Sequence, residues 1–459
     1  MSIMRITSIS IVKKSKKLAL CCAVIIVSLL SFTTEARIRI EITEGQTGAV
    51  PIAVTDFSGE SDAVESLSAI IRQDLKLSAR FSPVEQSLLP RGSLALLAQY
   101  PAEEWQQKKV ENAVIGEITN VGGRYQVQVA LLDVFSPTEN IPSKLMFKTF
   151  NDIAPKNLRA LGHHISDLIF EKLTGIKGMF STKIAYILVQ PYNFSKKNHY
   201  ILEISDIDGF NAKSLVKSLE PMMSPAWSPD GKKIAYVSFE GKRAQIYILE
   251  VFTGRREKIT QYPGINGAPS WSPDGKKLAV VLSKDGNPAI YTIDLANRML
   301  KRLTQGYGID TEPHWDPSGN SLFFTSNRGG GPQIYKISTD GSAKISRVTF
   351  KGDYNARPSI TSDGQYLVMQ HRDSQGIFKI AKQHLQSGEM SILTQSSGSG
   401  GDESPSLSPN GDMILYGTRS KGQSVLGLVS LAGRGKLRLP AREGMVQEPA
   451  WSPFLNHYN

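Results

Sequence analysis

Pro225-Ala226-Trp227-Ser228-Pro229-Asp230-Gly231 returns 44 residues later as Pro269-Ser270-Trp271-Ser272-Pro273-Asp274-Gly275, and again, loosened, as Pro313-His314-Trp315-Asp316-Pro317-Ser318-Gly319. Weaker copies run from Pro358 to Gly364, from Pro405 to Gly411 and from Pro449 to Pro453. Six copies at a spacing of roughly 40 to 50 residues, with several short strand-like runs between them, indicate β-propeller blades and not helical solenoid repeats.

After Gly231 come Ile234-Ala-Tyr-Val-Ser238, Gln245-Ile-Tyr-Ile-Leu249 and Glu257-Lys-Ile-Thr260, three runs with strand periodicity separated by turn residues. The set recurs after each motif, and one set, from Lys183 to Leu219, also precedes the first tryptophan. Six three-strand sets therefore alternate with six motif strands, beginning with a set and ending with a lone strand at Glu448 to Ser452. If that last strand pairs with the first set, the ring closes as six four-stranded blades with no unpaired edge on the ring. Within the motif, proline restricts φ and Asp-Gly tolerates left-handed angles, which suits a tight turn. The tryptophan is large enough to fill the space between blades.

Upstream, Ala49 to Thr55 reads as a buried strand. A helix is predicted from about Ala63 to Leu77, then a hairpin through Gly122-Gly123, then a second amphipathic helix from about Pro155 to Leu173. Residues 37–175 are thus an α/β domain and 176–459 an all-β six-bladed propeller. Arg37-Ile-Arg-Ile-Glu-Ile42 alternates strictly, placing Ile38, Ile40 and Ile42 on one face. It reads either as an edge strand of the first domain or as a segment that adds itself to a partner's sheet.

The two cysteines, Cys21 and Cys22, lie in an apolar run from Leu18 to Leu30 that follows Lys13, Lys14, Lys16 and Lys17. The run is short for a bilayer span. With Thr34 and Ala36 at small-residue positions, residues 1–36 read as a cleaved secretory signal. A lipoprotein signal is disfavoured because Leu20 precedes Cys21. The formal charge of +11 is spread without a block of five like charges, so no nucleic-acid partner is expected.

No Gly-x-Ser-x-Gly, His-Glu-x-x-His or phosphate-loop pattern occurs. Asp206-Ile-Asp208-Gly209 resembles only part of a calcium loop and reads as turn chemistry. His163-His164 reads as surface or packing, and Ser396 to Gly401 as a flexible loop. No catalytic residue, cofactor or metal is expected. The residues ahead of each motif proline vary where the motif is uniform, and they fall at the end of the innermost strands that rims the channel. Glu312, Glu403 and Glu448 make that mouth partly acidic, Arg357 opposes them, and Met222-Met223 offers adaptable apolar contact.

The order of domains, the six Pro-x-Trp-Ser-Pro-Asp-Gly copies, Asn266-Gly-Ala-Pro269, Thr311-Glu-Pro313 and the ending Glu448-Pro-Ala-Trp-Ser-Pro453 together resemble the TolB family of periplasmic proteins. The resemblance implies a non-catalytic part of the Tol-Pal envelope complex, a monomer without direct membrane insertion after signal cleavage. Its implied partners are a Pal-like peptidoglycan-associated lipoprotein and a TolA-like inner-membrane protein. Carried over by position, the lipoprotein contacts fall on Met223, Asn266, Ala268, Thr311 and Glu312. The TolA contacts fall on residues 37–48, chiefly Arg37, Ile38, Arg39, Ile40, Glu41 and Ile42. Two positions depart from the family: Ile265 stands where histidine is frequent, and Arg37-Ile-Arg39 is more basic than usual. The competing reading is a propeller subunit or gate of a periplasmic peptidase or glycan-processing enzyme.

Overall fold

The computed structural model describes residues 41–42 and 48–455, except 61–62, 64, 86, 88, 90–93, 95–101, 139–140, 192–197, 341, 343, 396–400, 421 and 440–443. The expected signal, Arg37 to Ile40 and nearly all of the Ser396 to Gly401 loop lie outside the described residues.

The α/β domain is a sheet of β2 (Val50–Val54), β3 (Phe81–Pro83), β4 (Asn112–Val121), β5 (Arg124–Thr138) and β6 (Ile141–Ile153), ordered β3-β2-β4-β5-β6. Helix α1 spans Leu67–Leu77, a short α2 spans Ala102–Gln107, and α3 spans Leu158–Thr174. Helix α1 starts later than its periodicity predicts because Ser66 caps it, its hydroxyl accepting the Ala69 N–H. Gly175, with φ 71°, ends α3 in the left-handed conformation that glycine adopts without a side-chain clash. Leu67, Ile71 and Leu75 of α1 meet Leu161, Ile165 and Ile169 of α3 over the sheet, all fully buried. Side chains of this kind contribute roughly 1.5–3 kcal/mol each when withdrawn from water.

The propeller has the six blades that the repeats predict. Blade 1 joins β7 (Lys183–Pro191), β8 (Asn198–Asp206) and β9 (Lys213–Ser218) to the last strand, β30 (Met445–Trp451). Blade 2 is β10 (Met222–Trp227), β11 (Lys233–Ser238), β12 (Gln245–Glu250) and β13 (Arg256–Lys258). Blade 3 is β14 (Asn266–Trp271), β15 (Lys277–Leu282), β16 (Ala289–Asp294) and β17 (Leu300–Arg302). Blade 4 is β18 (Asp310–Trp315), β19 (Ser321–Ser326), β20 (Gln333–Ser338) and β21 (Ile345–Arg347). Blade 5 is β22 (Tyr354–Ile360), β23 (Tyr366–Arg372), β24 (Phe378–His384) and β25 (Met390–Ile392). Blade 6 is β26 (Glu403–Leu407), β27 (Met413–Ser420), β28 (Gln423–Ser430) and β29 (Leu437–Leu439). Its outer edge takes a fifth strand, β1 (Glu41–Ile42), with Glu41 opposite Arg438 and Ile42 opposite Leu437.

The tryptophans do more than fill space. The indole N–H of Trp227 donates to the Ala450 carbonyl at 3.2 Å, that of Trp271 to Ala226 at 3.0 Å and that of Trp315 to Ser270 at 3.0 Å. Each therefore stitches its blade to the one before, and a buried indole keeps its hydrogen bond. At the turns, Gly231, Gly275, Gly319, Gly364 and Gly411 have φ between 67° and 76°. Asp230 Oδ1 receives the Ser228 hydroxyl at 2.6 Å and the Lys232 N–H at 3.0 Å, which holds the tight turn.

These turns form the floor of the propeller, and the α/β domain meets the propeller there. Arg80 pairs with Asp412, and the Asn410 amide donates to the Lys177 carbonyl at 2.9 Å, both in the blade 6 turn. Gly435 lies so close to Ala79 that an added Cβ would sit 2.2 Å from the alanine's. On blade 1, Arg159 of α3 reaches Asp206 and Asp208 at the end of β8.

Candidate functional site: the propeller mouth and channel

The prolines ahead of the tryptophans explain the site geometry. Met223 pairs with Val237 and Ala226 with Ala235, so Ser224 and Pro225 bulge against Tyr236 alone, and the same skip recurs in all six innermost strands. Proline has no N–H to give to a ladder and is tolerated where a bulge interrupts it. The residue before each proline, namely Ser224, Ala268, Glu312, Arg357, Ser404 and Glu448, has φ between 44° and 55°. Six non-glycine residues in the left-handed region, at one structural position, form a ring of strained backbone at the head of the channel.

Around this ring, the three residues ahead of each proline have separate roles. The third residue before it is buried in every blade: Met222, Asn266, Asp310, Asn355, Asp402 and Val446. Several of these are polar and hold the incoming loop. Asn266 accepts the Tyr262 N–H at 3.0 Å and donates to the Tyr262 carbonyl at 2.7 Å, while Asp310 is paired with Arg328 at 2.8 Å. The residue immediately before the proline lines the channel, a cavity of about 520 Å³.

Arg357 dominates that channel. Its Nε lies 3.2 Å from the Glu312 carboxylate of blade 4 and its Nη2 lies 3.3 Å from the Glu448 carboxylate of blade 1. Glu312 also accepts the Arg357 N–H at 3.0 Å and the Thr325 hydroxyl at 2.8 Å, and Glu448 accepts the Ser224 N–H. Burial works against the charge on Arg357, but the two glutamates prevail and hold its pKa above the ordinary value. His314, also in the channel wall, is pushed down to about 4 by burial and is neutral at pH 7. The charge of the channel is set by one arginine and two glutamates.

The five mouth residues singled out in the sequence separate accordingly. Met223 and Asn266 border a mostly apolar pocket of about 390 Å³ with Val237, Phe239, Arg243 and Ile265. Asn266 is buried, with its amide committed to its own loop, so it shapes that pocket from beneath. Ala268 and Glu312 face the channel, and Thr311 sits at the mouth end of β18 opposite Thr325. Glu312 is not simply a rim residue, because the bulge turns it inward onto Arg357.

Sequence reasoning missed a band of apolar residues on the loops entering the innermost strands. Tyr307 is fully exposed, and Ile265, Ile309, Phe350 and Met445 are 47%, 48%, 72% and 49% exposed. Large apolar side chains inside glycine-rich loops, as in Pro263-Gly264-Ile265 and Gly306-Tyr307-Gly308-Ile309, were the available signal. Large apolar side chains left exposed at the mouth end of four blades suit an interaction surface.

One residue read as surface or packing does more than that. His163 is neither on the surface nor in simple apolar packing: it is buried beside Asp74. Among the described residues, Asp74, His163 and Asp208 form one group close enough to ligate a cation. Of Glu41 and Ile42, the backbone pairing to β29 is what the structure describes.

A rigid ring of blades with a domain fixed to its floor, an ion-paired channel and an apolar mouth defines a binding scaffold. Residues 170–455 match the family described as the TolB beta propeller domain, and residues 38–140 match the TolB amino-terminal domain. The chain is 50% identical over 437 residues to the Tol-Pal system protein TolB of Coxiella burnetii, covering 94% of this chain and 98% of that protein. It is 48% identical over 439 residues to the Pseudomonas aeruginosa protein of the same name, covering 95% of this chain and 98% of that protein. The crystal structure of TolB from Acinetobacter baumannii, 40% identical, superposes with a TM-score of 0.82 over 91% of this chain and all of that one. The chain belongs to the TolB family, envelope-associated and non-catalytic proteins of the Tol-Pal system. Among the described residues, no helix is long and apolar enough to cross a membrane.

Proposed function

We propose that this protein is a periplasmic adaptor of the Tol-Pal system. Its propeller mouth receives a Pal-like peptidoglycan-associated lipoprotein, and residues 37–48 engage a TolA-like inner-membrane protein. Linking the two membranes in this way supports outer-membrane integrity and constriction at division. The observation that carries the reading is the placement of Met223, Ile265, Tyr307, Ile309 and Met445 on the mouth, opposite the floor to which the α/β domain is fixed. Apolar anchors beside a preformed pocket are what a protein partner buries first.

The pairing of β1 with the edge of β29 supports the second half. Addition of a strand to a sheet edge is a mode used for exchangeable segments, and Glu41 and Ile42 pair with β29 in that way. Calorimetry with the soluble domain of the lipoprotein tests the mouth: Ile265→Asp is expected to weaken binding about tenfold or more, and unchanged affinity rejects the assignment. Deleting residues 37–48 is expected to abolish TolA binding and to leave the propeller folded; TolA binding that survives the deletion rejects the role of this segment.

A further inference from the structure

The six residues that ring the head of the channel do not share its space evenly. Ser224, Ala268 and Ser404 are short, Glu312, Arg357 and Glu448 are long, and all six line the cavity of about 520 Å³. Over blade 6 the short Ser404 lets Arg357 of blade 5 reach Glu448 of blade 1, with Nη2 3.3 Å from Oε1. Arg357 therefore occupies the side of the channel formed by blades 4, 5 and 6. The open side is the arc at Ser224 and Ala268, on blades 2 and 3.

The two glutamates are not equally satisfied. Glu312 has the Arg357 guanidinium at 3.2 Å on Oε1, and its Oε2 takes the Arg357 N–H at 3.0 Å and the Thr325 hydroxyl at 2.8 Å. Glu448 meets the guanidinium with Oε1 alone. Its Oε2 is held by the N–H and, at 3.3 Å, the hydroxyl of Ser224, both uncharged donors on the open side. Among the described residues, Arg357 is the single cation lining the channel, against two carboxylates, and Glu403 at the mouth end of blade 6 acts on Arg357 as a third. Nearby cations of the mouth are committed or stand outside: Arg328 pairs with Asp310 and Lys284 with Asp285, while Arg243 and Arg419 border the two pockets beside the channel. The channel is left with an excess of negative charge, and the oxygen without a cation is Glu448 Oε2.

We propose, on the reading of the mouth as the docking surface of the lipoprotein, that this partner reaches into the channel with a basic side chain, a lysine or arginine, which enters over Ser224 and Ala268 and pairs with Glu448 Oε2. A partner seated on the mouth expels the water that screens this carboxylate, and a charge brought to it then counts for more than it would in open solvent. The apolar side of the entry is prepared as well. Met223 and Gly267 immediately precede Ser224 and Ala268, and with Val237, Phe239 and Ile265 they border the apolar pocket of about 390 Å³. An apolar anchor in that pocket brings a neighbouring side chain of the partner to the open arc, where a methylene stem lies along apolar surface while its charged end reaches the carboxylate. The recognition element is thus an apolar residue beside a basic one. An acidic side chain at the same place would add to the carboxylate excess. Because the blades repeat, a partner held only by the exposed apolar residues would find similar settings at several blades, and the one open arc selects among them.

Calorimetry on the mature protein with the soluble domain of the lipoprotein tests this. Glu448→Gln keeps the shape and an acceptor for Ser224 but removes the charge. It is expected to weaken binding about tenfold and to flatten the dependence of affinity on salt. Replacing the lysines and arginines of the lipoprotein by glutamine, one at a time, is expected to find one whose loss is not additive with Glu448→Gln. Ala268→Arg supplies a cation from the ring itself, at a backbone position where Arg357 shows that arginine is accepted, and is expected to abolish binding while the melting temperature holds. Ile265→Asp separates the two readings. If it weakens binding while Glu448→Gln changes neither affinity nor salt dependence, the basic side chain is rejected and the docking surface stands; if neither variant matters, the docking surface itself falls. Binding that survives Ala268→Arg overturns the proposal, as does the failure of every basic residue to couple to Glu448. An affinity that a calcium chelator abolishes in the wild type but not in Glu448→Gln overturns it too, and puts a free cation in place of the side chain.

Discussion

Two arginines in this molecule each hold a pair of propeller carboxylates, and they do so in opposite settings. Arg357 joins Glu312 and Glu448 in the open channel with 35% of its side chain exposed, whereas Arg159 joins Asp206 and Asp208 beneath the domain interface with 10% exposed. The same charges therefore do different work. Ion pairs reached by water are screened and contribute little to stability, so Arg357 can be remodelled by whatever enters the mouth. Buried pairs have already lost their hydration, and removing one partner strands the others. The channel triad tunes a surface, and the interface cluster holds domains together.

The largest effect should come from Arg159→Ala. It leaves Asp208 buried without its ion-pair partner and Asp206 with Lys183 alone, and should cost about 3–5 kcal/mol in denaturant unfolding. A loss below about 1 kcal/mol would put Arg159 in the same class as Arg357. Next is the pH dependence of the interface. A histidine whose folded pKa is raised from 6.5 to about 9 contributes stability that is fully present below 6.5 and lost as pH rises through about 9. Melting temperature followed from pH 6 to 10 should fall across that window in the wild type and much less in His163→Gln. Smaller still is Arg357→Gln, which should change stability by about 0–1 kcal/mol, measured by the same unfolding, while altering lipoprotein affinity in calorimetry. Smallest is the response to salt: raising ionic strength should loosen Arg80–Asp412 slightly and leave the Arg159 cluster intact, as hydrogen exchange on the two floor turns would report.

What could be read in the sequence follows from what is local. Trp227 to Gly231 and its copies carry their turn chemistry within five residues, and their offset from the three-strand sets implies the pairing of β30 with β7. The pre-proline ring was only half legible. Glu312 and Arg357 could be placed at the mouth, but the left-handed bulge that turns them onto one another is a backbone feature with no signature in residue type, since serine, alanine, glutamate and arginine all occupy it. Asn266 is a contact residue only by what the resemblance implies, and its amide is consumed by Tyr262. The joint was invisible for a different reason. Asp206, Asp208 and His163 look ordinary until a helix from another domain is laid across the turn, and no local spacing announces that. Strand β6 was missed because Lys144 and Lys148 interrupt its apolar run, as suits an exposed sheet edge.

The ring closes through its last strand: Trp451 lies opposite Ile184, and the Trp451 indole donates to the Thr182 hydroxyl at 2.8 Å. In time, this means that the first propeller strand to emerge waits for the last. Blades 2 to 5 can each pair from neighbouring sequence as they emerge, but blade 1 stays one strand short until the whole chain is available. Contacts of such long sequence separation form late and slowly. The unfinished edge of β7 is therefore the part of the newborn chain most open to wrong pairing, and the step at which a chaperone would have most to guard.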